Sequence, residues 1–349
     1  NEIELVTDVV EPRGNEEELA QVTDLLGSFS TDFSTSGAGR AKNVTNGCSK
    51  INGTILYPGD SFDMAKTVSP FTQENGYELA GAYQNGTTVE SFGGGICQVA
   101  TTLYNAVIRA ELEITMRFNH SMLVSYVQPS MDAAIAGDYK DLRFKNNLDA
   151  PVYIEGYCSG GVIYFNVYGK ETRPANREIS FESETVSTTD PETKFNLDSS
   201  LAIGYWSVDQ SAHTGCVAQL WKIVKVDGEQ QSRDLFNKSN YQASPKIITI
   251  GTKGANKETL AALKEAVATG DEAKVRSAAS SLKTDEESTK EEEDKKDQEN
   301  TSDSDDKKND DKKDDSKKDD SSDENKSDNK ADNKSDNTSS KSDSEESSN

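Results

Sequence analysis

The run Gly93-Gly94-Gly95 constrains this chain more than any other stretch. Glycine loses more backbone freedom on folding than any other residue, so three in succession are tolerated only where backbone turns sharply or lies close against something. Directly after them Val99, Leu103, Ala106, Val107 and Ala110 recur at helical spacing, which predicts a helix starting near Cys97. A cysteine in the first turn of a helix feels the positive end of the dipole, which favours thiolate over thiol. The same junction offers N–H groups without intrahelical acceptors, able to hold an anion or an oxyanion. The competing reading is that Cys97 is a small buried hydrophobe and the glycines only let the helix pack tightly.

Composition divides the chain. From Asp285 onward it is almost wholly Asp, Glu, Lys, Ser and Asn, with Ala331 its only apolar residue. That tail carries about half of the net charge of −24 and has nothing to bury, so residues 284–349 are expected to be disordered. The acidic balance argues against a nucleic-acid partner, which needs a basic footprint. No stretch is long and apolar enough to span a membrane. The cysteines Cys48, Cys97, Cys158 and Cys216 form no CxxC, and His120 and His213 are not at zinc-site spacing. Neither a metal nor a cofactor is implied, and no disulfide pairing is readable. The chain starts with Asn and shows no signal peptide, which reads as a mature form or a fragment of a longer precursor.

In chain order, residues 1–14 read as a strand and a linker, Glu16 to Leu26 as a short helix, and Gly27 to Arg40 as a loop or edge strand. Asn43 to Asn52 reads as a helix, and Ile55 to Phe62 as two extended pieces around Pro58-Gly59-Asp60. Asn75-Gly76 and Asn85-Gly86 mark tight turns. Beyond the glycine-helix element, Ile114 to Arg117 and Val124 to Val127 are strand-like. The strongest strands are Asp141 to Phe144, Val152 to Ile154 and Val162 to Tyr168, with Asn146-Asn147 and Gly160-Gly161 where hairpin turns would fall. Residues 15–170 thus form an α+β domain, helices packed on an antiparallel sheet. Residues 177–253 carry β-type runs without helical period and read as a small, elongated, all-β module. Residues 254–283 return to a short helical hairpin.

Leu26-Gly-Ser-Phe-Ser, Lys50-Ile-Asn-Gly-Thr, Tyr57-Pro-Gly-Asp-Ser-Phe, Glu74-Asn-Gly-Tyr, Gly93-Gly-Gly-Ile-Cys-Gln-Val-Ala-Thr-Thr-Leu-Tyr-Asn-Ala, Asn119-His-Ser, Val124-Ser-Tyr-Val, Asp132-Ala and Asp141-Leu-Arg-Phe-Lys-Asn-Asn stand in one order along the first domain. In that order they resemble the VanW family, named for a protein of B-type vancomycin-resistance clusters. Residues 177–253, ending Pro245-Lys-Ile-Ile-Thr-Ile-Gly-Thr-Lys253, are similar to a G5 domain. Ile3 to Pro12 is similar to the end of a domain assigned to peptidoglycan binding, which often precedes VanW domains. The resemblance implies a secreted or surface protein on the outside of a Gram-positive cell, with peptidoglycan or an N-acetylglucosamine-containing polymer as partner. It implies no particular reaction.

The residues suggest one. Cys97 at a helix start, then His120 at a strand start, then a polar orienting residue is the chain order of several cysteine hydrolases and acyltransferases. Cys97 would attack an amide and His120 would carry the proton. Asp132 would fix the imidazole tautomer, with Asp138 and Asp141 nearby in sequence. The backbone from Gly95 to Gln98, or the Gln98 side chain, would hold the oxyanion. Gly93, Gly94, Gly95, Tyr104, Ser121 and Tyr126 would line the binding site. The competing class is a non-catalytic wall-binding module, in which the glycine turn shapes a groove and Tyr83, Phe92, Tyr104, Tyr126 and Tyr139 stack on sugars. Exposure separates the two: an enzyme opens Cys97 and His120 to a cleft, and a binder exposes the aromatics. His213 and Cys216 read as structural.

Overall fold

A computed structural model describes residues 14–84, 87–137 and 139–286. The readings of Ile3 to Pro12, Asn85-Gly86, Asp138 and the tail beyond Glu286 fall outside these, as does the Tyr83 side chain.

The chain enters through α1 (Glu16–Leu19), capped by Asn15, and turns at once into β1 (Asp24–Asp32). The helix expected to reach Leu26 therefore stops early. β1 lies so close to the helix that follows the glycine turn that a Cβ on Gly27 would sit 2.4 Å from the Ala110 nitrogen. α2 (Ala38–Ile51) starts at Ala38 rather than Asn43, because its first turn buries no apolar residue and so leaves no periodic signal. Then come β2 (Thr54–Leu56), β3 (Ser61–Asp63), the Asp63-capped helix α3 (Met64–Val68), and the hairpin of β4 (Leu79–Gln84) and β5 (Thr87–Phe92).

The central element is α4 (Ile96–Arg109), which buries twelve of its fourteen residues. A helix buried nearly all round is a core helix. It lies on a four-stranded antiparallel sheet ordered β1-β9-β8-β2, where β8 is Val152–Ser159 and β9 is Val162–Gly169. β6 (Glu113–Met116) and β7 (Arg143–Lys145) join β3 in a separate sheet ordered β3-β7-β6. Two expectations fail between β6 and β8. Val124 to Val127 pairs with no strand. The segment is held by single contacts instead, such as Ser183 Oγ donating to the Pro129 carbonyl at 2.6 Å. Asn146-Asn147 is not a hairpin turn, because β7 and β8 belong to different sheets. Asn146 is buried, and its amide donates to the carbonyls of Leu56 and Ala150 at 2.9 Å each.

The rest is a β module of two three-stranded sheets. β10 (Arg177–Thr189), β13 (Gly215–Val226) and β14 (Glu229–Tyr241) form an antiparallel sheet ordered β10-β13-β14. β11 (Thr193–Ala202), β12 (Trp206–Gln210) and β15 (Lys246–Lys253) form the other, with β11 parallel to β15. Ile248 and Ile250 pack on Leu263 of α5 (Lys257–Ala268) and Val275 of α6 (Glu272–Ser280), so the helical hairpin supplies half of that sheet's core. The β10-β13-β14 sheet instead lends Leu220 to the main core of the first domain.

Candidate functional site

The glycine turn sets the start of α4. Gly95, its N-cap, has φ +111°, a region side-chain-bearing residues avoid. Gly94 is pressed against β4, where a Cβ would fall 2.5 Å from the Ala80 carbonyl oxygen. Cys97 follows as the second helical residue and keeps a partial opening to solvent.

From Cys97 a polar stripe descends one face of the helix at i, i+4 and i+8: Cys97, Thr101 and Asn105. Each holds the backbone of the extended segment Met131 to Ile135. The Cys97 sulfur lies 3.4 Å from both the nitrogen and the carbonyl oxygen of Ile135. Thr101 Oγ1 donates to the Ala133 carbonyl at 3.1 Å and accepts from the Ala133 N–H at 2.9 Å. Asn105 Nδ2 donates to the Met131 carbonyl at 2.7 Å. Residues 131, 133 and 135 thus face the helix, and Asp132, between two of them, faces away from it.

There Asp132 meets His120. Its Oδ2 lies 2.6 Å from His120 Nδ1 and accepts the His120 backbone N–H at 2.7 Å. With Nδ1 engaged, Nε2 is left for Cys97, and the two side chains share a hydrogen bond. Burial works against every charge in this cluster. For Cys97, the charge and hydrogen bond of His120 and the Ile135 N–H overcome it and hold the thiol below its ordinary range. For His120, the Cys97 charge and the Asp132 hydrogen bond overcome it and push the imidazole up to about 9. For Asp132, the His120 hydrogen bond and the Arg117 charge hold the carboxyl low. All three shifts run in the direction of a thiolate–imidazolium pair backed by a carboxylate. Tyr126 stands edge-on to the imidazole, ring centres 6.5 Å apart, and hydrogen-bonds Thr101.

Other expected site residues are placed elsewhere. Both hydrogens of the Gln98 amide are spent, on Thr31 Oγ1 at 2.9 Å and the Asp32 carbonyl at 2.8 Å, and its oxygen accepts from Arg40. The Gln98 side chain therefore cannot also donate to an oxyanion. Tyr104 is 1% exposed, with its hydroxyl accepting from Asn237, so it cannot stack on a sugar. Ser121 contributes a carbonyl to the Gln242 N–H. Asp141 is a structural acceptor for the backbone N–H groups of Ala65 and Leu142. Phe92 and Tyr139 are 37% and 67% exposed. Beside the glycine turn runs an open groove of about 530 Å³, lined by Ala38, Lys42, Glu78, Leu79 and Phe92 among others, which Cys97 does not line. Among the described residues no group of three or more His, Cys, Asp or Glu is gathered as a metal site.

The family described as VanW like protein matches residues 39–168, and the family described as G5 domain matches residues 181–253. The chain carries a VanW-like domain followed by a G5 domain. It is 34% identical over 161 residues to the uncharacterized protein YoaR of Bacillus subtilis, covering 46% of this chain and 53% of that protein. It is 26% identical over 110 residues to the vancomycin B-type resistance protein VanW of Enterococcus faecalis, covering 30% of this chain and 40% of that one. The chain thus spans about half or less of the curated relatives it matches. A solved IgA1 protease G5 domain shares 28% identity over 22% of this chain and 93% of its own, at a TM-score of 0.18. The HP0197-G5 structure shares 20% over 21% of this chain and 99% of its own, at 0.14. No helix among the described residues is long and apolar enough to cross a membrane.

These boundaries sharpen the geometry. Cys97, His120 and Asp132 all lie in the VanW-like domain. Two further groups on Asp132 were not singled out by sequence. Arg117, three residues before His120, donates Nη2 to Asp132 Oδ1 at 2.8 Å and Nε to the Asp132 carbonyl at 2.7 Å. Tyr241 donates its hydroxyl to the same Oδ1 at 2.5 Å and belongs to the G5 domain. Arg117 was legible in principle, as a cation just past the strand β6 that leads to His120. Nothing local announces Tyr241, because its partner is more than a hundred residues away.

Proposed function

We propose that the VanW-like domain is a cysteine-dependent amidase or acyltransferase acting on peptide bonds of peptidoglycan, in a secreted or wall-held protein of a Gram-positive cell. The observation that carries this is His120 set between two partners, with Asp132 on Nδ1 and Cys97 on the remaining nitrogen. The Cys97 thiolate attacks the carbonyl carbon of an amide, forming a C–S bond. The oxyanion is held at the first turn of α4, where the Cys97 N–H has no intrahelical acceptor. As the C–N bond breaks, the His120 imidazolium gives its proton to the leaving amine. Water, or a second amine, then attacks the thioester. His120 takes the attacker's proton and Cys97 leaves as thiolate. The two matched families support the wall setting, and the G5 domain supports a polymer contact that keeps the enzyme near its substrate.

The test is pH-dependent alkylation of the full chain, read on the Cys97 peptide by mass spectrometry, with and without His120→Ala. The expected Cys97 profile titrates well below the free value of about 8.5 and moves up in the variant. Purified peptidoglycan fragments should then release new amines. Turnover should rise through the Cys97 pKa and fall above about pH 9, as the His120 proton is lost. A Cys97 that labels only after unfolding would sink the enzyme. The exposed Phe92 and Tyr139 would then favour a sugar-binding surface.

A further inference from the structure

In the sequence Asn237-Lys-Ser-Asn-Tyr241, at the end of β14, alternate residues face one side of the strand. All three of that side reach into the VanW-like domain. Asn237 Nδ2 donates to the Tyr104 hydroxyl at 2.7 Å, and Tyr104 stands on α4, the helix that carries Cys97. Ser239 Oγ accepts from Arg117 Nη1 at 2.9 Å. The Tyr241 hydroxyl donates to Asp132 Oδ1 and is fixed by the Ser130 N–H, which donates to it at 2.7 Å. Backbone contacts bracket the strand end. Asn119 Nδ2 donates to the Asn240 carbonyl at 2.9 Å, and the Gln242 N–H donates to the Ser121 carbonyl at 2.6 Å, on either side of His120. Tyr241, Ser239, Arg117 and Asp132 are all buried or nearly so.

We infer that the G5 domain completes the Cys97–His120–Asp132 site, with Tyr241 as a positioning residue for Asp132 and Ser239 one for Arg117. This rests on the proposed enzyme reading and adds to it that the second domain is part of the site as well as a tether. The reason is geometric. Asp132 Oδ2 serves His120, so the carboxylate plane, and through it the imidazole, is set by what holds Oδ1. Oδ1 has two donors, Arg117 and Tyr241. One comes from strand β14, and the other is itself held by a hydroxyl of that strand.

Positioning and simple charge screening predict opposite signs. If the Tyr241 hydroxyl merely screened the carboxylate, its loss would leave Asp132 a stronger partner for the imidazolium, and the Cys97 thiolate would become more favoured. If it positions Asp132, its loss frees the carboxylate to turn, the imidazole loses its orientation, and the thiolate loses its partner.

The experiment is Tyr241→Phe in the full chain, which removes only the hydroxyl, read by the pH profile of Cys97 alkylation. We expect the apparent Cys97 pKa to rise by about half a unit to one unit, with alkylation at pH 6 about three- to tenfold slower. Ser239→Ala should move it the same way by less, and stands in if the tyrosine variant does not fold. An unchanged or lowered pKa in a folded Tyr241→Phe protein overturns the inference. If Tyr241→Phe does not fold, the same result in Ser239→Ala overturns it. The wild-type profile separates the two levels. A wild-type Cys97 that titrates as a free thiol ends the enzyme reading, and this inference with it. A low wild-type pKa with no upward shift in the variants ends this inference alone.

Discussion

Cys97 is not the only perturbed thiol. Cys158, on β8, faces Cys48 of α2 across the interface between that helix and the sheet. A hydrogen bond from Cys48 is the chief cause that lowers the Cys158 thiol against the opposing effect of burial, with Thr45, one turn earlier on α2, adding to it. Cys48 itself is buried at 1% exposure and pushed strongly up by the same pairing. In bulk thiol titration the protein should therefore show two early-reacting cysteines with different causes. Cys48→Ala is expected to raise the Cys158 pKa by one unit or more and leave Cys97 unmoved, since the two thiols share no partner. Peptide-resolved alkylation decides it, and a Cys158 profile that ignores the substitution refutes the assignment. At this scale the sequence was informative about Cys97 because a reactive cysteine has a local signature, a glycine turn followed by a helix start. Cys158 has none, since its partner sits on another element. The same holds for Tyr241, while the spent amide of Gln98 shows that a polar side chain beside a nucleophile is as readily a structural brace.

Between residue and fold stands the ladder by which α4 holds the Met131 to Ile135 segment. Thr101 and Asn105 are legible in sequence as polar residues four and eight positions after Cys97, on the same face of a mostly apolar helix. What they bind is not legible, because Met131 to Ile135 has neither strand alternation nor a β partner and is fixed by those side chains. That is also why the Val124 to Val127 run misled: β-branched composition promises a strand only where a neighbour exists to pair with it. Thr101→Val tests the ladder. The substitution keeps shape but leaves the buried Ala133 N–H and carbonyl without their shared hydroxyl. A cost of about 2 kcal/mol is expected, in the range for orphaned buried backbone groups. Urea denaturation reads it. Because Asp132 adjoins Ala133, the apparent Cys97 pKa should rise as well. Stability lost with the thiol pKa unchanged would mean that the ladder supports the fold without placing the carboxylate.

For the molecule as a whole, the question is what keeps the G5 domain seated where Tyr241 can reach. Beside the polar contacts of β14, one acid joins the two domains. Glu111 follows the end of α4 with φ +59° and gathers three cations. Arg177 meets it at 2.6 and 2.8 Å, Lys222 at 2.5 Å and Arg173 at 3.6 Å; Arg177 and Lys222 come from β10 and β13. Burial would raise the Glu111 carboxyl, but the hydrogen bonds and charges of Arg177 and Lys222 pull it down to about 2. A pKa depressed on folding stabilises the folded state once pH exceeds the unfolded value of 4.5, and that contribution fades as pH falls toward about 2. The size follows from the shift, about 3 kcal/mol at neutral pH. Glu111→Gln should lose about that much at pH 7, leaving three cations facing a neutral amide. The gap between variant and wild type should then narrow steadily as pH drops from 4.5 toward 2, because protonation removes the same charge from the native protein. Urea midpoints at pH 7, 4.5 and 3 measure this directly. A gap that stays constant across that range would assign Glu111 a packing role and leave the seating of the G5 domain to β14, the Ser183–Pro129 hydrogen bond and the burial of Leu220.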